Sequence, residues 1–344
     1  KAAELAKMGE VLTNSQIGGR RNIIINGAMQ VAQRATSSTD IGGSSGYFTC
    51  DRWHMSPSGT AGRLTMTQDS SAPSGFANSI KLDCTTADTS IASGEFLLFT
   101  HKFEGQDVQS FAKGTSDAKQ FSLSFYVKGN ASATYVAELM DEDNSNRHVN
   151  KSFSVTTNWT RVELLFPADT TGTLDDDNAL SLSLNIWLHA GSDFTSGSLQ
   201  TTWGALSQTS RAVGISSFFS STDNTFFITG VQLEVGNQAT PFEHRSFGEE
   251  LALCQRYYQI VGISFYDDVV SGRNYGANTG FPTQMRANPT VDSSSTLNNN
   301  NRFNSNDLNA GVQVTTTSFL AHKTSISTSD AGYYLATANL KSEL

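Results

Sequence analysis

The sequence is poor in charged residues, proline and cysteine. Charged residues make up 16% of the chain and hydrophobic residues 38%, below the roughly 25% and 45–50% (the latter counting Gly) of typical globular domains. Ser, Thr, Asn and Gly take up the difference, and the first three favour turns and solvent-facing strand positions over helix interiors. With only 6 Pro and with 21 Phe to form a core, the composition favours a folded chain rich in strands and turns.

The cysteines are few, odd in number and widely spaced. Cys50, Cys84 and Cys254 predict neither a disulfide framework nor a metal-binding spacing. Cys84 alternates with Ile80 and Leu82, which predicts a core position for its side chain. Reduced, buried cysteines fit synthesis in the cytosol.

Positive charge and long apolar runs are also scarce. The net charge of -9 and the isoelectric point near 5.1 argue against nucleic-acid binding, which needs clustered Lys and Arg to displace counterions from phosphates. No run of about 18 apolar residues occurs, so membrane insertion by a spanning helix is not expected.

Residues 2–12 have the pattern of a helix. Leu5, Met8 and Leu12 form one apolar stripe at helical spacing, among good helix formers. Because a helix this short is marginal alone, it needs a partner: the same helix of neighbouring subunits, the structure to which the protein attaches, or its own domain. Residues 1–20 are therefore interpreted as an assembly or docking segment.

From residue 21 onward the apolar residues recur at every second position. Alternating runs occupy residues 121–128, 162–166, 180–188 and 231–235, as in strands with one buried and one wet face. Many short strands separated by polar turns predict a mainly β fold, with a jelly-roll β-sandwich over residues 21–246.

A second, smaller β domain is predicted over residues 247–344. Ser246 and Glu249 match a capping box, so a short inter-domain helix is expected to follow up to Gln255, and an Asn-rich turn is expected at Asn298 to Asn301. The thin apolar content of this domain suggests that neighbouring subunits support it.

Catalytic and metal-binding motifs are scarce. Ser44 lies in a GGSSG run that fits the serine-hydrolase elbow, but a Ser/Gly-rich turn lacks the strand and helix which that motif needs. The six histidines show no ligand spacing, so no transition-metal site is expected. The acidic runs 141–143 and 175–177 are interpreted as solvated hairpin tips or, alternatively, calcium loops. No cofactor is expected, and a structural calcium ion stays open without assigned ligands.

The candidate ligand-binding residues are aromatic and polar side chains around a long Ser/Thr/Gly-rich stretch, residues 190–224. In one interpretation they are exposed, with aromatic rings stacking on a sugar and short polar groups binding its hydroxyls. In the other, the aromatic rings pack under the long loop or against another subunit. The candidates are Trp187, His189, Asp193, Phe194 and Trp203.

Three groups of segments resemble a recurrent set in bacteriophage tail-fibre and appendage proteins, especially those of marine and cyanobacterial phages. The first is residues 22–34 (NIIINGAMQVAQR) with 51–53 (DRW). The second is 226–236 (FFITGVQLEVG) with 239–245 (ATPFEHR). The third is 250–258 (ELALCQRYY) with 281–289 (FPTQMRANP). Their order and spacing make the resemblance specific. More weakly, the strand pattern also resembles the carbohydrate-binding jelly rolls of polysaccharide-active enzymes.

The resemblance implies a virion protein made in the host cytoplasm. It is expected to be a homotrimer and not an enzyme, with other tail or virion proteins and a host surface polysaccharide or receptor as partners. Two alternatives stay open. One is a capsid-mounted fibre, decoration or tail adaptor with a purely structural role, and the other is a polysaccharide depolymerase, because paired carboxylates assembled across strands leave no spacing signal.

Overall fold

The computed structural model describes residues 20–299, 312–326 and 328–344. The predicted helix of residues 2–12 lies outside the described residues, as does the rest of the N-terminal segment up to residue 19. The chain divides into two compact units between Ser246 and Phe247. Among the described residues, no helix is long and apolar enough to cross a membrane.

The first unit consists of two six-stranded antiparallel sheets. The first sheet, in spatial order, contains β1 (Ser37–Ile41), β4 (Arg63–Asp69), β5 (Ser79–Thr86), β12 (Thr225–Val235), β7 (Phe121–Gly129) and β10 (Thr160–Phe166). The second sheet contains β2 (Gly46–Tyr47), β3 (His54–Ser58), β6 (Phe96–Glu104), β11 (Leu180–Ala190), β8 (Ala133–Asp141) and β9 (Arg147–Val155). From β9 to β12 each strand crosses to the other sheet, which gives the predicted jelly roll.

The core lies between the two sheets and is built by the alternation seen in the sequence. Apolar side chains of β7, β11 and β12 face inward, and Ile186 and Leu184 of β11 are at most 1% exposed. Cys50 and Cys84 are both buried and free, as expected for Cys84. Burial of this kind stabilises the folded state by about 25 cal/mol for each Å² of apolar surface that is removed from water.

Short helical turns connect some of these strands. They are α1 (Gly105–Val108), α2 (Ser192–Thr195) and the 3-10 turns Gln109–Phe111, Gln208–Ser210 and Phe218–Ser220. Ser44 is exposed in the turn between β1 and β2. Because no helix follows it, it does not form a nucleophile elbow.

The segment of residues 22–31 forms no strand, but it is bonded to β12. Ile23 N donates to Leu233 O at 3.1 Å, and Val231 N donates to Gly27 O at 3.0 Å. The Asn22 amide donates to Val231 O at 3.1 Å. Two of the segments that resemble phage appendage proteins therefore lie against each other.

The second unit contains α3 (Phe247–Gln255) and two small sheets. One sheet contains β13 (Tyr258–Val269), β19 (Ser329–Lys341), β15 (Thr290–Val291) and β16 (Thr296–Asn299), and the other contains β14 (Asn274–Gly280), β18 (Ser318–Thr324) and β17 (Val312–Val314). Helix α3 begins directly after Ser246, close to the predicted start. The predicted Asn-rich turn is wrong at Asn298 and Asn299, because both pair with β19 as part of β16.

The two acidic runs differ from each other. Residues 175–177 are exposed, as expected, but they lie in the connection between β10 and β11, which belong to different sheets, so the hairpin part of the interpretation is wrong for this run. Asp141 is fully buried instead, because it pairs with the Lys113 ammonium, which also contacts Asp169 at 3.2 Å. The solvated interpretation is therefore wrong for Asp141.

Candidate functional site

Trp187 lies on the outer face of the second sheet, the face directed away from the sandwich core, but it is fully buried. Its ring centroid is 5.1 Å from that of Phe194 and 5.9 Å from that of Phe96. The Arg211 guanidinium lies 4.7 Å above it. Of the two interpretations, the exposed one is wrong for Trp187, because its ring packs under the long loop.

His189 does not share the outer face with Trp187. Strand β11 shifts register against β6 between these two residues, so that His189 lies opposite Leu97, a core residue. A β-bulge of this kind places two successive residues opposite one and re-aims the side chains beyond it. His189 is turned inward and is fully buried, so it is not available to a ligand at the surface.

The other three candidates lie in different surroundings. Asp193 is exposed and accepts a hydrogen bond from Ser93 Oγ at 3.2 Å. Phe194 is half-buried in the cluster around Trp187. Trp203 is half-buried against the main core, and its Nε1 donates to Pro167 O at 2.9 Å. The structure therefore does not bring the five candidates together at one surface.

Residues 190–224, which we call the cover segment, pack over Trp187 and bury it. Gly204 pairs with His148 of the edge strand β9 through bonds of 3.0 and 3.2 Å. Asn150 N donates to Gln200 O at 2.8 Å. These bonds hold the cover segment on the second sheet and occupy backbone groups along β9 that an edge strand otherwise leaves unpaired.

The rest of the outer face forms a groove of about 320 Å³. Strands β3, β6, β8 and β11 supply its floor, and the cover segment and the turn after β8 supply its walls. Among the described residues that line it, none is Trp, Tyr or Phe. The lining residues are His54, Ser56, Leu98, Thr100, Lys102, Met140, Glu142, Asn146, Leu180, Ser183, Asn185, Leu206, Gln208 and Arg211.

A buried carboxylate, Glu138 of β8, holds the groove residues in place. Arg211 donates to both of its oxygens, from Nε at 2.8 Å and from Nη2 at 2.7 Å. Asn185 Nδ2 and Trp187 Nε1 each donate to Oε2 at 3.1 Å. His148 Nδ1 lies 3.2 Å from Oε1. Asn185 Oδ1 in turn accepts from Thr100 Oγ1 at 2.9 Å, so the polar floor is fixed before any ligand arrives.

The electrostatics of the groove follow from burial and from this network. Burial raises the pKa of Glu138, but the Arg211 charge and hydrogen bonds with Arg211 and His148 outweigh it and lower the pKa to about 2.

Two other titratable groups line the groove. Burial raises the pKa of Glu142, which accepts from Ser183 Oγ at 2.7 Å. Burial and the Lys102 charge lower the pKa of His54 to about 4. At neutral pH the groove presents a charged Glu138–Arg211 pair and an uncharged imidazole.

One group of possible metal ligands exists among the described residues. Asp88, Glu95 and His189 each offer a ligand atom, and these atoms all lie within 4.8 Å of one another. Asp88 and Glu95 lie in the connection between β5 and β6, and His189 lies near the end of β11, about a hundred positions further along the chain. The histidine spacing could not predict such a cluster, because the fold brings a single histidine of β11 to two carboxylates of the loop between β5 and β6.

Sequence reasoning missed the residues that form the groove. Glu138 and Arg211 lie 73 positions apart, and neither belongs to a motif. The alternation on β11 does place Asn185 on the polar face, and this was the one feature of the sequence that pointed to a groove residue. Which strands lie beside β11 depends on the crossovers of the jelly roll, which the alternation leaves undetermined.

No protein-family model matches the chain, and no curated protein matches it. The solved structures similar to it include a CBM4 carbohydrate-binding module, at TM-score 0.33 and 10% identity over 61% of this chain and 97% of that one. A CBM61 module in complex with β-1,4-galactotriose matches at TM-score 0.32 and 10% identity over 63% of this chain and 99% of that one.

The similar structures also include the enzymatically active domain of tailspike protein 4 from bacteriophage CBA120. Its TM-score is 0.31 and its identity 13%, over 62% of this chain and 21% of that one. TM-scores this low carry no argument about function. The jelly-roll fold follows from the strand order of the two sheets.

Proposed function

We propose that this protein is a non-enzymatic attachment subunit of a bacteriophage virion, and that it recognises a host surface glycan in the groove on its second sheet. The observation that supports glycan binding is the groove itself, whose polar floor is held in place by hydrogen bonds. Hydroxyl, amide, imidazole and charged groups converge there beside apolar patches from Leu98 and Met140, as in sites that bind small polar ligands.

The fixed floor favours recognition because its groups do not need to be ordered on binding. Asn185 and Arg211 are held by Glu138, and Thr100 is held by Asn185. Preorganised groups lose less conformational entropy when a ligand binds. His54 lines the groove with an imidazole that is uncharged at neutral pH, and such a ring can bond a sugar hydroxyl. Without an aromatic platform, hydrogen bonds would dominate recognition.

The virion part of the proposal is supported by the resemblance to phage tail-fibre and appendage proteins of six segments: residues 22–34, 51–53, 226–236, 239–245, 250–258 and 281–289. On this proposal the protein is a homotrimer, is located in the virion and contacts other tail or virion proteins. A capsid-mounted or adaptor role without glycan binding is the structural alternative.

A binding role is favoured over hydrolysis by the state of the buried carboxylate. Both Glu138 oxygens are engaged, and its pKa of about 2 keeps it ionised. Cleavage of a glycosidic bond needs one carboxyl group as proton donor and a second that is free to attack or to activate water. Glu138 is occupied in the ion pair with Arg211, so it does not suit either role.

Binding of the full chain to a glycan array and to host envelope polysaccharide tests the proposal. We expect His54→Phe to weaken binding about tenfold, the effect of losing one or two hydrogen bonds, while it keeps a ring against Tyr47. The matched control is Glu163→Gln, an exposed carboxyl on the other sheet, which should bind like the unchanged chain.

Three outcomes contradict parts of the proposal. If the His54 variant binds glycan as tightly as the unchanged chain, the groove is not the binding site. Absence of a glycan signal together with binding to virion proteins supports the structural alternative. Release of reducing ends from the polysaccharide supports a depolymerase.

A further inference from the structure

The cluster of Asp88, Glu95 and His189 lies where β5 ends, β6 begins and β11 ends, and it shares no residue with the groove. Asp88 follows β5, Glu95 precedes β6, and His189 is re-aimed inward by the bulge in β11. The three residues are 5%, 9% and 0% exposed. A buried carboxylate or imidazole needs a partner, because burial removes the water that would otherwise solvate it.

Two of the buried atoms that face this cluster have no hydrogen-bond partner. They are His189 Nε2 and Glu95 Oε2, and they lie 3.6 Å apart. Two ligands of a tetrahedral ion at about 2.0–2.1 Å lie about 3.3 Å apart, so this pair needs only a small movement to share an ion. The three ligand atoms lie within 4.8 Å of one another.

The other imidazole nitrogen is already engaged. His189 Nδ1 lies 2.7 Å from Ser217 Oγ. Metal-binding histidines usually donate their second ring N–H to a neighbouring oxygen, which fixes the tautomer and directs the other nitrogen's lone pair at the metal. Ser217 can accept that hydrogen, which leaves the Nε2 lone pair directed toward Glu95.

Asp88 is also held in place by its neighbours. Its Oδ2 accepts from Thr60 Oγ1 at 2.7 Å and from Ala61 N at 2.9 Å. The apolar side of the site is formed by Phe219, whose ring centroid lies 5.4 Å from that of His189. Oriented carboxylates within an apolar wall are features of built metal sites.

We propose that Asp88, Glu95 and His189 bind one divalent transition-metal ion of the zinc type, and that the ion ties the loop between β5 and β6 to the end of β11. One imidazole nitrogen with two carboxylates is a donor set that such ions accept, whereas calcium prefers oxygen ligands alone. The role is structural, because the site is buried and separate from the groove.

Metal content and thermal unfolding of the full chain test this inference. The chain is stripped with a chelator, dialysed against ZnCl₂ and assayed by mass spectrometry. We expect about one zinc ion per chain and a rise in Tm of about 5–10 °C at a hundredfold excess over Kd. With CoCl₂ in place of zinc, the visible absorption spectrum should report nitrogen and oxygen ligands.

Glu95→Gln removes one ligand charge and keeps the side-chain shape, so the variant should fold while it loses the retained zinc and the Tm rise. The matched control is Asp223→Asn, an exposed carboxyl close to the turn Phe218–Ser220, which should keep both. Equal zinc retention by the Glu95 variant would overturn the site. Stabilisation by CaCl₂ but not by ZnCl₂ would contradict the role of the imidazole as a ligand. If neither salt raises the Tm, the whole inference is wrong.

Discussion

Glu138 shows how one buried charge organises the outer face of the second sheet. It accepts from Arg211, Asn185 and Trp187, and through them it fixes both the groove floor and the packing beneath the cover segment. Removal of one partner from a buried ion pair is costly because the other charge stays buried without compensation.

Glu138→Gln should lower the free energy of unfolding at neutral pH, by about 3–5 kcal/mol, because Arg211 loses its counter-charge. The folded-state pKa of about 2 lies below the ordinary value of 4.5. The carboxylate therefore contributes its stability above pH 4.5 and loses it as the pH falls toward 2. A shift of this size corresponds to a contribution on the order of 3 kcal/mol.

Denaturant unfolding at several pH values measures this effect. The difference between the unchanged chain and the Glu138 variant should shrink as the pH falls from about 4.5 to 2. A difference that stays constant across this range would contradict the assignment of the charge to the folded state. Glu163→Gln, on the exposed side of the first sheet, provides the comparison.

The residues around Trp187 mark the limit of what the sequence predicts about the site. Alternation on β11 correctly separates Leu184 and Ile186 from Asn185 and Trp187. It carries no information on which segment covers the outer face, so exposure of Trp187 could not be decided. The inward turn of His189 depends on a bulge, which strict alternation does not anticipate.

Among the elements, the strands were the most predictable part of the molecule. The alternating runs at 121–128, 162–166, 180–188 and 231–235 all lie in strands, because a half-buried strand requires that period. The short edge strand β2 and the cover segment have no such period. The groove was not predictable either, since it combines four strands whose neighbours in the sheet are distant in sequence.

Gly27→Ala should destabilise the first unit, by about 1–3 kcal/mol, the range for overpacking of a filled interior. A Cβ at Gly27 would lie 2.2 Å from Val231 O, the backbone of β12. The bonds between residues 22–31 and β12 would then have to lengthen. Guanidinium unfolding measures the loss.

Gly43→Ala is the control for this prediction. A Cβ there would meet only Arg63 Nη2, at 3.7 Å, so stability should change little. Similar unfolding midpoints for the two variants would show that the contact between Gly27 and β12 is not tight in solution.

At the scale of the whole molecule, large exposed apolar side chains are concentrated in the second unit. Tyr266 is 73% exposed, Leu335 is 52% exposed and Ile260 is 46% exposed. The register of β13 and β19 places all three on the face opposite the small core. Apolar side chains grouped on one face are typical of a surface that another chain covers.

We expect the purified chain to have three times the mass of the 37.0 kDa monomer in multi-angle light scattering, in line with the proposed homotrimer. Leu335→Lys should shift this mass toward the monomer, because a charge on a covered apolar face loses its hydration. Leu165→Lys changes an exposed leucine of the first unit and should leave the mass unchanged. A persistent monomer at micromolar concentration would contradict the trimer.

The three buried cysteines have a practical consequence for the folded chain. Burial raises the pKa of Cys50 and raises that of Cys84 to about 11, and Cys254 is fully buried. Since only an accessible thiolate reacts quickly, maleimide reagents should leave the native chain unlabelled. A cysteine introduced at the exposed Gln208, on the rim of the groove, would then carry the single fluorophore, and its emission would report ligand occupancy directly.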